Sequence, residues 1–140
     1  MRAMPLDFRR RMPFHPLQII YMKPCIVVII PAYNEEKSIG KVVSDLPRDW
    51  VEEVVVVDNN SSDQTADQAQ AAGATVVPQP LQGYGNACLA GMNYVICERP
   101  SDPDIIVFID GDYSDYPGEL PLVVAPILEE DSDLVIGSRA

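Results

Sequence analysis

The pentapeptide Asp110-Gly111-Asp112-Tyr113-Ser114 places two carboxylates one residue apart, directly after the apolar run Ile105-Ile106-Val107-Phe108-Ile109. Short, β-branched and unbroken, that run predicts a fully buried strand of a parallel sheet. Ionised carboxylates avoid apolar interiors unless paired or bound to metal. The pair therefore belongs at the strand's carboxyl end, where open α/β sheets bind ligands. Spaced in this way, Asp110 and Asp112 can share a hard divalent cation, Mg2+ or Mn2+, which in turn holds a diphosphate. A plain Asp-Gly turn with Asp112 capping the next helix is the competing structural explanation.

One acidic strand end does not make a site, so the elements that would bring partners to it matter next. From Cys25 onward, strand-like and helix-like patterns alternate with short breaks. That alternation predicts an α/β fold, a Rossmann-like, mostly parallel, doubly wound sheet. The expected strands are 25–30 (ended by Pro31), 53–57, 75–77, 105–109 and 134–136. The expected helices are 36–46, a segment capped by Ser61 or Ser62 and ended at Gly73, 85–97 with Leu89, Met92 and Ile96 inward, and 119–130. In such a sheet the loops 31–35, 58–62, 79–85 and 110–114 fall along one edge. Convergence there is more specific than any single motif. Asp58 would end its strand where a carboxylate accepts hydrogen bonds from a ribose or base. Ser61, Ser62, Asp63 and Thr65 read as helix caps and first-turn acids. Gly83 and Gly85 would open a helix and let a phosphate or sugar approach backbone N–H groups.

Composition narrows the function. The chain has 140 residues, 47% hydrophobic and 22% charged, enough for one core. Its net charge of −11 argues against nucleic acid as the main partner. An acidic protein that handles an anion needs a metal or helix N-termini to offset repulsion, which agrees with the acidic pair. Cys25, Cys88 and Cys97 are odd in number and lack CxxC spacing, as expected of small core residues in a reduced, cytoplasmic protein. His15 is the single histidine, so a Ser-His-Asp or Cys-His site would depend on it alone. No run approaches the ~20 apolar residues of a membrane span. Residues 1–22 hold four arginines against one aspartate. They read as a basic extension, either a disordered arm able to touch anionic lipid through Arg9, Arg10 and Arg11, or residues ahead of a true start at Met22.

Five segments in order, "VVIIPAYNEE", "VVVVDNNSSDQT", "QGYGNACLAG", "VFIDGDYSD" and "DLVIGSR", resemble the family 2 glycosyltransferases of the GT-A fold. Among these they look most like the polyprenyl- or dolichyl-phosphate sugar synthases. The resemblance covers about residues 25–139 and implies that 23–140 is a nucleotide-sugar-binding domain. It places Pro31, Ala32, Tyr33 and Glu35 in the nucleotide pocket, with Asp58 and Asn59 at the base or ribose and Gly83 and Gly85 near the donor. Asp110, Gly111 and Asp112 would take the metal and diphosphate, with Asp112 the firmer metal ligand, and Arg139 would meet a phosphate. The implied partners are a UDP- or GDP-sugar donor, a lipid-phosphate or other acceptor, and a peripheral membrane contact.

Two departures from the family pattern stand out. Asn59 replaces a frequent second aspartate, and Ser114 stands where the polyprenyl-phosphate enzymes commonly have Gln. Family members also continue well past "GSR", so the chain looks like the donor-binding half of a longer enzyme. The competing function is a module that binds a nucleotide sugar without transferring it. A haloacid-dehalogenase-type phosphatase would need a lysine after its acidic pair, and none follows Asp112. A dinucleotide-binding oxidoreductase would need GxGxxG where Pro31-Ala32-Tyr33 stands.

Overall fold

The computed structural model describes residues 1–5 and 23–138. Most of the basic extension, with the lipid contact expected of Arg9, Arg10 and Arg11, lies outside the described residues, as does Arg139. The strands are β1 (Arg2–Pro5), β2 (Ile26–Ala32), β3 (Glu53–Asp58), β4 (Thr75–Pro78), β5 (Ile105–Phe108) and β6 (Val135–Ile136). The helices are α1 (Ile39–Asp45), α2 (Thr65–Ala71), α3 (Tyr84–Asn93, continued by a π turn over Tyr94–Glu98) and α4 (Leu120–Glu129, entered through a 3-10 turn over Pro117–Glu119). The sheet order is β4-β3-β2-β5-β1-β6. β2, β3, β4 and β5 are mutually parallel, and β1 runs antiparallel to both of its neighbours. The expected α/β, mostly parallel sheet is the observed one.

Strand alternation sorts the core into two layers. Ile26, Val28 and Ile30 of β2 face Ile39, Val42 and Val43 of α1, Ala69 of α2, and Leu120 and Val124 of α4. Val27 and Ile29 face the other side, against Ala87 and Val95 of α3 and its π turn. β2 lies at the point where the winding reverses. From it the chain moves outward through β3 and β4, then crosses under α3 to β5 on the opposite flank. Ligand crevices form at such switch points, outside the strands' carboxyl ends.

Three expectations need correction. β2 runs through Pro31 to Ala32 instead of stopping before it. The ladder to β5 ends at Ile29–Phe108, while the ladder to β3 continues to Ala32–Asp58. Pro31 has the parity of Ile29, whose carbonyl faces β5 by accepting from Ile109 N–H. Its missing N–H therefore falls where no strand pairs. The phase of α3 also differs. Leu89 and Ile96 are exposed, and the buried stripe is Ala87, Gly91 and Val95. A Cβ on Gly91 would stand 2.5 Å from Ile29 Cγ2, so close backbone approach, not large side chains, seats this helix.

The third correction concerns the amino terminus, since residues 2–5 are not a disordered arm. They form β1, wedged between β5 and β6, with Ala3 fully buried in the α1/α2/α4 layer. β6 pairs with β1 through Arg2–Ile136 and Ala3–Val135. A chain starting at Met22 should therefore lose the β6 pairing and expose the flank of β5. We expect it to melt well below the 140-residue chain in a thermal denaturation series. Equal melting temperatures would show that β1 contributes nothing to the sheet.

Candidate functional site

A cavity of about 500 Å3 opens at the switch point, between the carboxyl ends of β2 and β5 and the start of α3. Pro31, Ala32, Tyr33 and Glu35 line it from the end of β2 and the loop beyond. Asn59 enters from the end of β3, Gln82, Gly83, Tyr84 and Ala87 from the approach and first turn of α3, and Asp110, Gly111 and Asp112 from the loop after β5.

Hydrogen bonds tie these loops to one another. Asn59 and Thr65 are the buried polar residues among those described. Asn59 Nδ2 donates to the carbonyls of Gln79 and Leu81, both at 2.9 Å, while its Oδ1 accepts from Gly83 N–H at 2.9 Å. Its own N–H donates to the carbonyl of Ala32. One amide thus holds the third loop against the end of β2. Thr65 Oγ1 accepts from Glu35 N–H at 2.8 Å, and Asp63 accepts from Glu36 N–H and Thr65 N–H. Asn34 N–H donates to Ser61 Oγ, and Ser62 N–H donates to Asn34 Oδ1. The Ser61–Thr65 polar run therefore stitches the second loop to the first. The N-cap of α2 is Gln64, with no side-chain capping bond, in place of the expected Ser61 or Ser62.

The Asp110–Ser114 loop is held from three sides. Ser38 Oγ donates to the carbonyl of Gly111 at 2.8 Å. Asp112 Oδ1 accepts from Ser114 N–H at 2.9 Å, and Tyr84 OH reaches Asp110 Oδ1 at 3.4 Å. Tyr113 has φ +62°, an uncommon conformation for a bulky residue. It is clamped by Lys41 Nζ, 4.3 Å above its ring centroid, and by a hydrogen bond from its hydroxyl to Asp45. Such strain persists where surroundings over-determine it, and it clusters at functional sites. Burial pushes the Tyr84 phenol up to about 12, and the Asp110 charge adds to the rise. Tyr84 is therefore a neutral hydrogen-bond donor at the cavity wall throughout the physiological range.

Residues 27–140 match the family model described as glycosyl transferase family 2. The chain belongs to that family. It is 38% identical over 115 residues to protein RfbJ of Shigella flexneri, covering 81% of this chain and 84% of RfbJ. It is 36% identical over 116 residues to the dolichyl-phosphate hexose transferase of Haloferax volcanii, covering 81% of this chain and 47% of that protein. Among solved structures it resembles glucosyl-3-phosphoglycerate synthase from Mycobacterium tuberculosis in complex with Mn2+, UDP and glucosyl-3-phosphoglycerate. The TM-score there is 0.66 at 29% identity, over 85% of this chain and 46% of that one. Apart from RfbJ, the chain spans about half the length of these proteins.

Of the residues singled out from the sequence, this glycosyltransferase domain brings Pro31, Ala32, Tyr33, Glu35, Asn59, Gly83, Asp110, Gly111 and Asp112 to one cavity. Asp58 and Gly85 do not line it. Asp58 Oδ1 accepts from Ser61 N–H at 3.3 Å, so its carboxylate closes a turn. Gly85 lies inside α3, and a Cβ there would meet nothing within 4 Å. Gly83 is different, because its φ of +136° is accessible to glycine alone at low cost. Asp115 is partly buried and accepts from Asp110 N–H and from the terminal ammonium of Met1, both at 3.4 Å. Gln82, Tyr84 and Ala87 were not foreseen. Their signal was the helix start itself, one residue earlier than its glycines suggested.

The departure at position 59 has a physical reason. A carboxylate cannot donate to the Gln79 and Leu81 carbonyls and would face both with like charge. Asn59→Asp should cost about 1–3 kcal/mol, the penalty for unsatisfied buried groups, and release the Gly83 loop. Urea denaturation together with nucleotide titration checks this. A variant as stable as wild type would show that the stitch is dispensable.

Proposed function

We propose that this chain is the donor-binding part of a metal-dependent glycosyltransferase. Its donor would be a nucleoside diphosphate sugar, a UDP-sugar in preference to a GDP-sugar, and its acceptor would carry a phosphate. The observation that carries the reading is that Asp110 and Asp112 share one cavity with the glycine-opened start of α3 at the switch point of the sheet. A volume of about 500 Å3 is within the range of small-molecule sites.

Two carboxylates suit Mg2+ or Mn2+, which usually bind through one or two protein acids plus substrate phosphates. Among the described residues no third acid, cysteine or histidine completes a protein-only cage, so the diphosphate itself would fill the remaining positions. When bound, such a cation neutralises charge on the departing diphosphate. Asp110 and Asp112 would hold it, and Tyr84 OH would orient Asp110. Gly83 would let the diphosphate approach backbone N–H groups at the helix start. The acceptor oxygen attacks the anomeric carbon as the carbon–oxygen bond to the diphosphate breaks, and the bonding pair leaves on the phosphate oxygen. A phosphate acceptor enters already ionised at neutral pH, so this step needs no general base.

A uridine donor is supported by the UDP bound in the solved structures that this chain resembles. A phosphate-bearing acceptor is supported by two kinds of relative, one named for dolichyl phosphate and one in complex with phosphoglyceric acid. Polyprenyl phosphate is the acceptor we favour, with a cytoplasmic enzyme working at the membrane face. Among the described residues no helix is long and apolar enough to cross a membrane.

Calorimetric titration of UDP and GDP with Mn2+ and then with EDTA tests the site. UDP should bind in Mn2+ and lose most of its affinity in EDTA. Asp112→Asn should weaken binding more than Asp110→Asn does. Equal affinity with and without metal would remove the cation from the function. Transfer of label from UDP-glucose to polyprenyl phosphate or 3-phosphoglycerate, run on the same sample, tests turnover. Metal-dependent binding without transfer would leave the donor-binding module as the reading for this polypeptide.

A further inference from the structure

Among the described residues the cavity is lined by the carboxylates of Glu35, Asp110 and Asp112 and by no basic side chain. A phosphate entering it meets a net-acidic protein, and two metal-binding acids do not remove that repulsion on the flank away from the cation. β1 supplies a charge of the right sign on that flank. Its register sets Arg2 opposite Phe108 of β5, two residues before Asp110. Directly opposed residues of an antiparallel pair project from the same face of the sheet. Phe108 packs into the layer under α3, and so does Met4, two positions along from Arg2, whereas Ala3 between them is buried in the opposite layer. Arg2 therefore projects on the α3 side.

Independent features agree with this placement. The Tyr84 phenol and the Cys88 thiol, one turn apart on α3, are both raised chiefly by burial, and on both the Arg2 charge acts in the opposite sense. Both also feel the charge of Asp110, whose Oδ1 is 3.4 Å from Tyr84 OH. Immediately before Arg2, the terminal ammonium of Met1 contacts Asp115, which also takes the N–H of Asp110. The amino-terminal end of β1 thus abuts the acidic loop, with an exposed guanidinium beside the start of α3.

We propose that Arg2 is a phosphate-contacting cation of this site, carried to the β5 flank of Asp110 by the amino-terminal strand. The inference rests on the nucleotide-sugar reading above. Its shared chemistry is a phosphate oxygen facing a guanidinium, which is suited to bidentate contact. That phosphate belongs either to the donor diphosphate or to the acceptor, and the experiment has an arm for each.

The 140-residue chain and its Arg2→Gln and Arg2→Lys variants are titrated with UDP and with uridine in Mn2+. They are then titrated with inorganic phosphate after saturation with UDP, and melting temperatures are recorded alongside. If the donor is the partner, Arg2→Gln loses on the order of 10- to 100-fold in UDP affinity. Uridine affinity and melting temperature hold, and Arg2→Lys recovers part of the loss. If the acceptor is the partner, UDP affinity holds and the phosphate titration is lost. Equal losses for UDP and uridine would mark Arg2 as structural and overturn the proposal. So would unchanged UDP and phosphate binding in a variant of a protein that still binds UDP through Mn2+, and in that case the donor site itself would stand. A wild-type chain that binds no UDP would overturn both readings.

Discussion

A single buried amide, that of Asn59, holds the wall of the cavity. Parallel strands deliver their loops to one edge but do nothing to fix those loops to one another. Backbone groups in the loops must still be satisfied, because an unpaired buried group costs about 1–3 kcal/mol. Asn59 meets that demand for the third loop by accepting from Gly83 and donating to Gln79 and Leu81. Thr65 and Asp63 do the same between the first and second loops. The start of α3, Glu35 and the end of β2 then stand at set distances around one space. Rigid loops matter for a site of this kind, since binding that must first order its own walls loses affinity to entropy.

Electrostatics then decides what the space can hold. Three carboxylates at one cavity in an acidic protein repel anions unless cations join them. In the proposed reading the acidic pair would take one cation from solution, and β1 would bring a second, Arg2, to the same loop. The acidic loop itself is bent through a left-handed Tyr113, held by Lys41 and Asp45 from α1. Helix α1 thus contributes to the site although none of its residues lines the cavity. Its contacts are to Tyr113, the residue that follows Asp112.

Much of this was readable before any coordinates. Unbroken β-branched runs can satisfy their backbone and bury both faces in a parallel sheet, so β2, β3 and β5 announced themselves. The acids and glycines following those runs had to share an edge. The errors cluster where a local pattern had two solutions. Leu89 and Ile96 belong to a stripe as periodic as Ala87, Gly91 and Val95, and the 2.5 Å approach of Ile29 to a Cβ at Gly91 shows which stripe faces the sheet, while Met92 packs at its margin as expected. Asp58 looked like a ligand-reading acid, and in the fold its carboxylate closes a turn on Ser61. Asn59 looked like a weakened acid, and it proves to be the donor that the loop requires.

The sequence by itself determined the α/β class, the family and the edge on which the acid- and glycine-bearing loops meet, because these follow from hydrophobic period and from motif order along the chain. Tertiary structure alone decided the place of residues 2–5. Nothing in Arg2-Ala3-Met4-Pro5 marks a strand, and the charge of the stretch around it suggested an arm in solvent. Strand pairing is a long-range contact that a four-residue segment cannot encode by itself. What places β1 is the unpaired flank of β5, whose backbone groups need partners that no neighbouring residue supplies.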